Sequence, residues 1–131
     1  MICTPMSSKR PRILLLEDDC ASAEAMQIVL RDWGADVVHG ADVEDVSSAA
    51  GKRAAQADMI ITDFHLPVAD GVHAAMLLRK SAPQAKVLVL SGSLNNDAKR
   101  AAKSAGYAFL PKPAPPREII AWLDRTNALV E

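Results

Sequence analysis

The chain of 131 residues contains only two cysteines, Cys3 and Cys20. They are too few for a disulfide scaffold and too far apart for a short-spaced metal knuckle, so both are expected to be reduced thiols. Long apolar runs are missing too: none approaches the ~18–20 residues that cross a bilayer. Lys9, Arg10 and Arg12 are followed by no signal-type apolar stretch before the acidic Glu17-Asp18-Asp19, so secretion is not expected and a soluble, cytoplasmic protein is. An excess of one charge is also absent, with 15 basic against 16 acidic residues and a net charge of -1. Nucleic-acid and membrane-surface binders need a sustained positive excess, and neither is an expected partner. Repeats, heptads and low-complexity tracts are lacking, and the length suits one domain without a separate output domain behind it.

What is present is an alternation, repeated five times, of short apolar runs with longer amphipathic stretches. This pattern predicts a parallel sheet with crossover helices. The runs are Ile13–Leu16, Asp36–His39, Met59–Thr62, Val87–Leu90 and Tyr107–Leu110. The first, third and fourth lack alternating polar residues, as strands buried on both faces do. Asp36–His39 is more polar and suits an edge, and the last run suits either place. Helices are predicted over Ala21–Trp33, Val43–Ala55, Gly71–Ser81, Ala98–Ala105 and Arg117–Leu129. In the first, Ala25, Ile28, Val29 and Asp32 form one stripe and Met26, Leu30 and Trp33 its neighbour, together a wide face for packing on a sheet. Gly34 and Gly106 are placed to end helices in the left-handed conformation, and Asp42, Asp70 and Asp97 to cap their starts. Residues 1–11, with Pro5 and Pro11, read as a flexible leader, and residues 12–131 as the domain.

Ligands of open parallel α/β sheets bind beyond the carboxyl ends of the strands. Glu17 and Asp18 follow the first run, Asp63 the third, Ser91 the fourth and Lys112 the fifth. Three carboxylates brought together either raise a pKa or demand a cation, and a hard divalent ion is the economical answer. With an ammonium and a hydroxyl alongside, the set suits phosphoryl transfer, in which the protein mainly positions groups and balances charge.

From about Arg12 to about Leu129 the chain resembles the receiver domain of two-component response regulators. The resemblance rests on Ile13-Leu14-Leu15-Leu16-Glu17-Asp18-Asp19, Asp63-Phe64-His65-Leu66-Pro67 with Asp70-Gly71, Leu88-Val89-Leu90-Ser91-Gly92, and Phe109-Leu110-Pro111-Lys112-Pro113. It implies a flavodoxin-like, doubly wound five-stranded parallel sheet in a three-layer α/β/α sandwich. It also implies that Asp63 accepts a phosphoryl group from a sensor histidine kinase or histidine phosphotransfer protein. By the same resemblance Glu17, Asp18, Asp63 and the backbone carbonyl of His65 hold Mg²⁺, with Mn²⁺ as a substitute. Phe64, His65 and Gly92 supply phosphoryl-binding backbone, and Lys112 neutralises Asp63 and then the phosphoryl group. Ser91 and Phe109 form the switch, the Lys112–Pro113 peptide is cis, and a downstream protein target binds the face of the fourth helix, fifth strand and fifth helix. A monomer or a weak phosphorylation-dependent dimer is implied. Such a protein is regulatory, not an enzyme in the ordinary sense, although it catalyses its own phosphotransfer and dephosphorylation. Leu66 and Ala114 depart from the methionine and phenylalanine commoner at those places, without touching the chemistry.

Plainer readings stand beside these. An isolated Asp63 would be a turn residue, Ser91 a turn serine and Phe109 plain core. Asp19 reads as a solvated neighbour of the acidic pair, and His39 and His73 as surface histidines. Two other functions suit an α/β sheet of this size. A flavin-binding electron carrier would need a Ser/Thr/Gly-rich phosphate loop where Glu17-Asp18-Asp19 stands. An aspartyl phosphohydrolase would need a second catalytic Asp where His65 stands.

Overall fold

The structure, a computed structural model, describes residues 10–93 and 95–130. Cys3 and most of the leader therefore lie outside the described residues. Five strands, β1 (Arg12–Leu16), β2 (Asp36–Gly40), β3 (Met59–Asp63), β4 (Lys86–Ser91) and β5 (Ala108–Pro111), form one sheet in the order β2-β1-β3-β4-β5, with every pairing parallel. Parallel neighbours need crossovers, supplied by α1 (Cys20–Trp33), α2 (Val43–Ala50), α3 (Gly71–Arg79), α4 (Asp97–Ala105) and α5 (Pro116–Val130). This is the flavodoxin-like order and the three-layer α/β/α architecture expected of the resemblance.

The uninterrupted apolar runs become the central strands because both of their faces are covered. Leu14, Leu16, Ile60 and Val89 pack under α2, α3 and α4, while Ile13, Leu15, Ile61 and Leu88 pack under α1 and α5. The two edges are β2 and β5. Only β2 was assigned an edge from its composition, and half-buried Ala108, Phe109 and Leu110 agree with the second.

Three details differ from the sequence reading. In α1 the buried residues are Ala23 and Leu30, with Met26 and Trp33 against the core, whereas Ile28 is 64% exposed. Ile28 lies five residues beyond Ala23, about 140° around the helix, so only the second of the two stripes meets the sheet. The second helix stops at Ala50 because Gly51 takes φ 57°, and a 3₁₀ segment, Gly51–Gln56, follows. Asp42 and Asp70 cap α2 and α3 through Asp45 N and His73 N. Asp97 does not cap: Asn96 precedes the helix, and Asp97 instead accepts from Arg100 at 2.8 Å. Gly34 and Gly106 end α1 and α4 at φ 119° and 80°.

Candidate functional site

All the predicted chemistry lies at the carboxyl edge of β1, β3, β4 and β5. Glu17 follows β1, and its N–H donates to the Gly40 carbonyl at 3.1 Å, so the β1–β2 ladder carries one step into the loop. Asp63 is the last residue of β3, paired with Leu90 of β4. Ser91 ends β4 with 2% of its surface exposed, and Lys112 follows β5, its N–H bound to the Ser91 carbonyl at 2.8 Å. Parallel register thus delivers four side chains from distant sequence to one edge.

Glu17, Asp18 and Asp63 each offer a carboxylate oxygen, and the three atoms lie within 4.8 Å of one another. Glu17 is buried, Asp63 is nearly so at 9% exposed, and Asp18 is exposed. Lys112 Nζ bridges the buried pair, 3.0 Å from Glu17 Oε1 and 3.4 Å from Asp63 Oδ1. Burial works against the Lys112 charge, but the hydrogen bond it donates to Glu17 and the negative charges of Asp63 and Glu17 outweigh it and hold its pKa above the usual lysine value. One ammonium cannot balance three carboxylates, so the site keeps an excess of negative charge open to solvent on the Asp18 side. Hard, all-oxygen donors at this spacing fit a divalent cation.

The backbone around Asp63 is tightly held. Phe64 N–H donates to the Leu90 carbonyl at 2.8 Å, and the Phe64 carbonyl accepts from Gly71 N–H at 2.7 Å. The Thr62 hydroxyl donates to the Asp63 carbonyl at 2.9 Å. A Cβ at Gly71 would lie 2.1 Å from that same carbonyl oxygen, so only glycine allows α3 to begin this close to the end of β3. Ser91 Oγ accepts from Ser93 N–H at 3.1 Å. Gly92 is exposed. The half-buried Phe109 packs against the core on the side of α2, α3 and α4. His65 is exposed and its ring meets Phe64 edge-on at 5.1 Å, and the Lys112–Pro113 peptide is cis.

Asp19 is no member of the carboxylate triad. Its side chain caps α1 by accepting from Ser22 N–H at 2.8 Å, and those Ser22 hydrogen bonds hold its pKa below the usual aspartate value. Two contacts escaped sequence reasoning. The Gly71 approach was signalled only by an Asp-Gly pair at a helix start, and the bond from His39 to the Glu17 carbonyl, 2.7 Å, had no local signal at all. An apolar groove of about 650 Å³ borders the site, with Ala25, Met26 and Val29 of α1 on one side and Pro113, Ala114 and Ile119 on the other.

The family model described as response regulator receiver domain matches residues 13–124. Over 109 residues the chain is 31% identical to the uncharacterized transcriptional regulatory protein YbdJ of Bacillus subtilis, a match covering 83% of this chain and 47% of that protein. Over 116 residues it is 28% identical to the DNA-binding response regulator MtrA of Mycobacterium tuberculosis, covering 88% and 50%. The chain thus spans about half the length of these curated relatives. Among solved structures, the chemotaxis protein CheY4 of Vibrio cholerae superposes with a TM-score of 0.77 at 25% identity, covering 90% of this chain and 99% of that one. A putative response regulator from Chloroflexus aurantiacus gives 0.79 at 28% identity, covering 92% and 99%.

Proposed function

The chain belongs to the response regulator receiver domain family, and from that membership we propose that it is a phosphoacceptor module whose acceptor is Asp63. The observation that carries this reading is the placement of Asp63, a buried carboxylate at a strand end, between a fixed ammonium and two further carboxylates. An Asp63 carboxylate oxygen attacks the phosphorus of a phosphohistidine on a kinase or phosphotransfer partner. The O–P bond forms as the P–N bond breaks, and the leaving imidazole takes a proton from solvent. Lys112, 3.4 Å from Asp63 Oδ1, would balance the Asp63 charge before attack and pair with the phosphoryl oxygens afterwards.

Glu17, Asp18 and Asp63, with the His65 carbonyl, would hold Mg²⁺ or Mn²⁺. Such an ion, when bound, supplies the positive charge that lets an anionic acceptor and an anionic phosphoryl group meet. The backbone of His65 and Gly92 would meet the phosphoryl oxygens, whereas the Phe64 N–H expected there is spent on the Leu90 carbonyl; hydrolysis would return the site to Asp63. The groove beside α1 reaches Glu17 and Lys112, so a partner helix carrying the phosphohistidine would dock there.

A phosphoryl group brings about two negative charges and three acceptor oxygens. Ser91 Oγ would leave Ser93 N–H to reach one of those oxygens, Phe109 would turn inward, and the α4–β5–α5 face would change for a protein target. The carrier alternative meets Glu17-Asp18-Asp19 where a flavin phosphate would lie, and the repulsion there argues against it. Incubation with acetyl phosphate and Mg²⁺ is expected to add one phosphoryl group by intact mass, and Asp63→Asn to abolish it. Labelling that survives this substitution would overturn the assignment.

A further inference from the structure

We propose that His39, at the end of edge strand β2, is a positioning residue that sets the orientation of the acidic pair Glu17-Asp18; this rests on the phosphoacceptor reading of the site. His39 is half-buried, and its Nε2 lies 2.7 Å from the Glu17 carbonyl oxygen. A carbonyl oxygen can only accept, so Nε2 carries the hydrogen and the ring is held in one tautomer.

The bond acts on the peptide that joins the two acidic residues. A peptide unit is planar, so holding its oxygen restrains the plane that carries the Glu17 carbonyl and the Asp18 N–H, and with it the direction in which the Glu17 side chain leaves the backbone and the point from which residue 18 continues. The other side of Glu17 is already fixed, because its N–H donates to the Gly40 carbonyl at 3.1 Å. Beyond the Glu17 N–H the β1–β2 ladder has ended, and the His39 ring supplies the Glu17 carbonyl with the donor that a further ladder step would have given. Held at both its N–H and its C=O, Glu17 presents one carboxylate oxygen to Lys112 at 3.0 Å and the other to Asp19 N–H at 3.2 Å. The same peptide sends Asp18 toward the oxygens of Glu17 and Asp63 that lie within 4.8 Å. A connected path therefore runs from His39 through Glu17 and Lys112 to Asp63.

His39→Phe keeps a ring in β2 and removes the donor, whereas His39→Gln returns an N–H that can reach the carbonyl. Mn²⁺ binding, followed by electron paramagnetic resonance, is expected to weaken about three- to ten-fold in His39→Phe, the loss of one ordinary hydrogen bond. It should recover most of the way in His39→Gln. The Mg²⁺ concentration giving half the maximal labelling rate with acetyl phosphate should rise in parallel, with the rate at saturating Mg²⁺ preserved. A merely structural residue would lower thermal stability without moving the metal affinity of the folded protein. Equal Mn²⁺ affinity in His39→Phe and the unaltered protein would overturn the proposal. So would a nitrogen-15 spectrum of the unaltered protein showing the Nδ1–H tautomer, a measurement that needs no variant to fold. If the unaltered protein neither binds Mn²⁺ nor accepts a phosphoryl group, the phosphoacceptor reading fails and this proposal with it. If it does both and His39→Phe matches it, the role of His39 alone is refuted.

Discussion

Replacing Asp63 by Asn in the metal-free protein is expected to raise its stability, although it destroys the proposed acceptor. Asp63 faces Glu17 and Asp18 with oxygens within 4.8 Å and Lys112 at 3.4 Å. At an intermediate effective dielectric constant of about 40, each carboxylate pair at that separation repels by about 1.7 kcal/mol, and the lysine attracts by about 2.4 kcal/mol. Two repulsions exceed one attraction by about 1 kcal/mol. Solvent weakens the Asp18 repulsion most, because Asp18 is exposed while the Lys112 side chain is 29% exposed, so the Coulomb gain is at most about 1 kcal/mol and the sign rests also on desolvation. Lys112 keeps its shorter contact with Glu17 in the variant. The neutral amide also escapes the cost of burying a charge.

Urea unfolding at pH 7.5 with a chelator present checks this as a higher midpoint at unchanged slope. In a thermal scan the gain corresponds to about 4 °C for a domain of this size. Millimolar Mg²⁺ should close or reverse the gap, since an ion bound to the folded state stabilises the unaltered protein more. A variant less stable than its parent without metal would refute the claim that the acidic cluster carries uncompensated charge.

Two further outcomes follow from the same geometry. Gly71→Ala sets a methyl group 2.1 Å from the Asp63 carbonyl oxygen; the backbone must move, at a cost of about 1–3 kcal/mol or more, and acetyl phosphate labelling should slow even in variant that has folded. The pKa of Lys112 is raised in the folded state, so its contribution to stability should be fully present below its unfolded value of about 10.4 and be lost as pH rises through the folded value. Comparing urea midpoints of the parent and Lys112→Met up through that alkaline range checks the sign: the two curves should converge, and a gap that widens with pH would contradict it.

The central strands were legible because burial on both faces forces uninterrupted apolar runs such as Ile13–Leu16 and Met59–Thr62. The carboxyl-edge rule then puts Glu17, Asp18, Asp63, Ser91 and Lys112 at one end of the sheet, where the strand bounds place them. Helix faces were less legible. Alanine-rich α1 offered two apolar stripes, and the choice between them depends on the angle at which the helix meets the sheet. That angle leaves Ile28 in solvent and turns Ala25 and Val29 toward the groove beside Pro113. The end of α2 turned on the positive φ of Gly51, which local pattern did not reveal, and Asp97 lost the capping role to chain direction at Asn96. The His39 bond joins residues 22 apart in sequence and follows only from strand register, so an isolated histidine gave no sign of it.

The claim that Asp63 carries the phosphoryl group is tested most directly by trapping the acyl phosphate after incubation with acetyl phosphate and Mg²⁺. Borohydride reduces an aspartyl phosphate to homoserine, and peptide mass mapping then identifies the residue. Homoserine at position 63, and at no other acidic position, is the predicted result. Intact aspartate at 63 alongside a modified residue elsewhere would contradict the account.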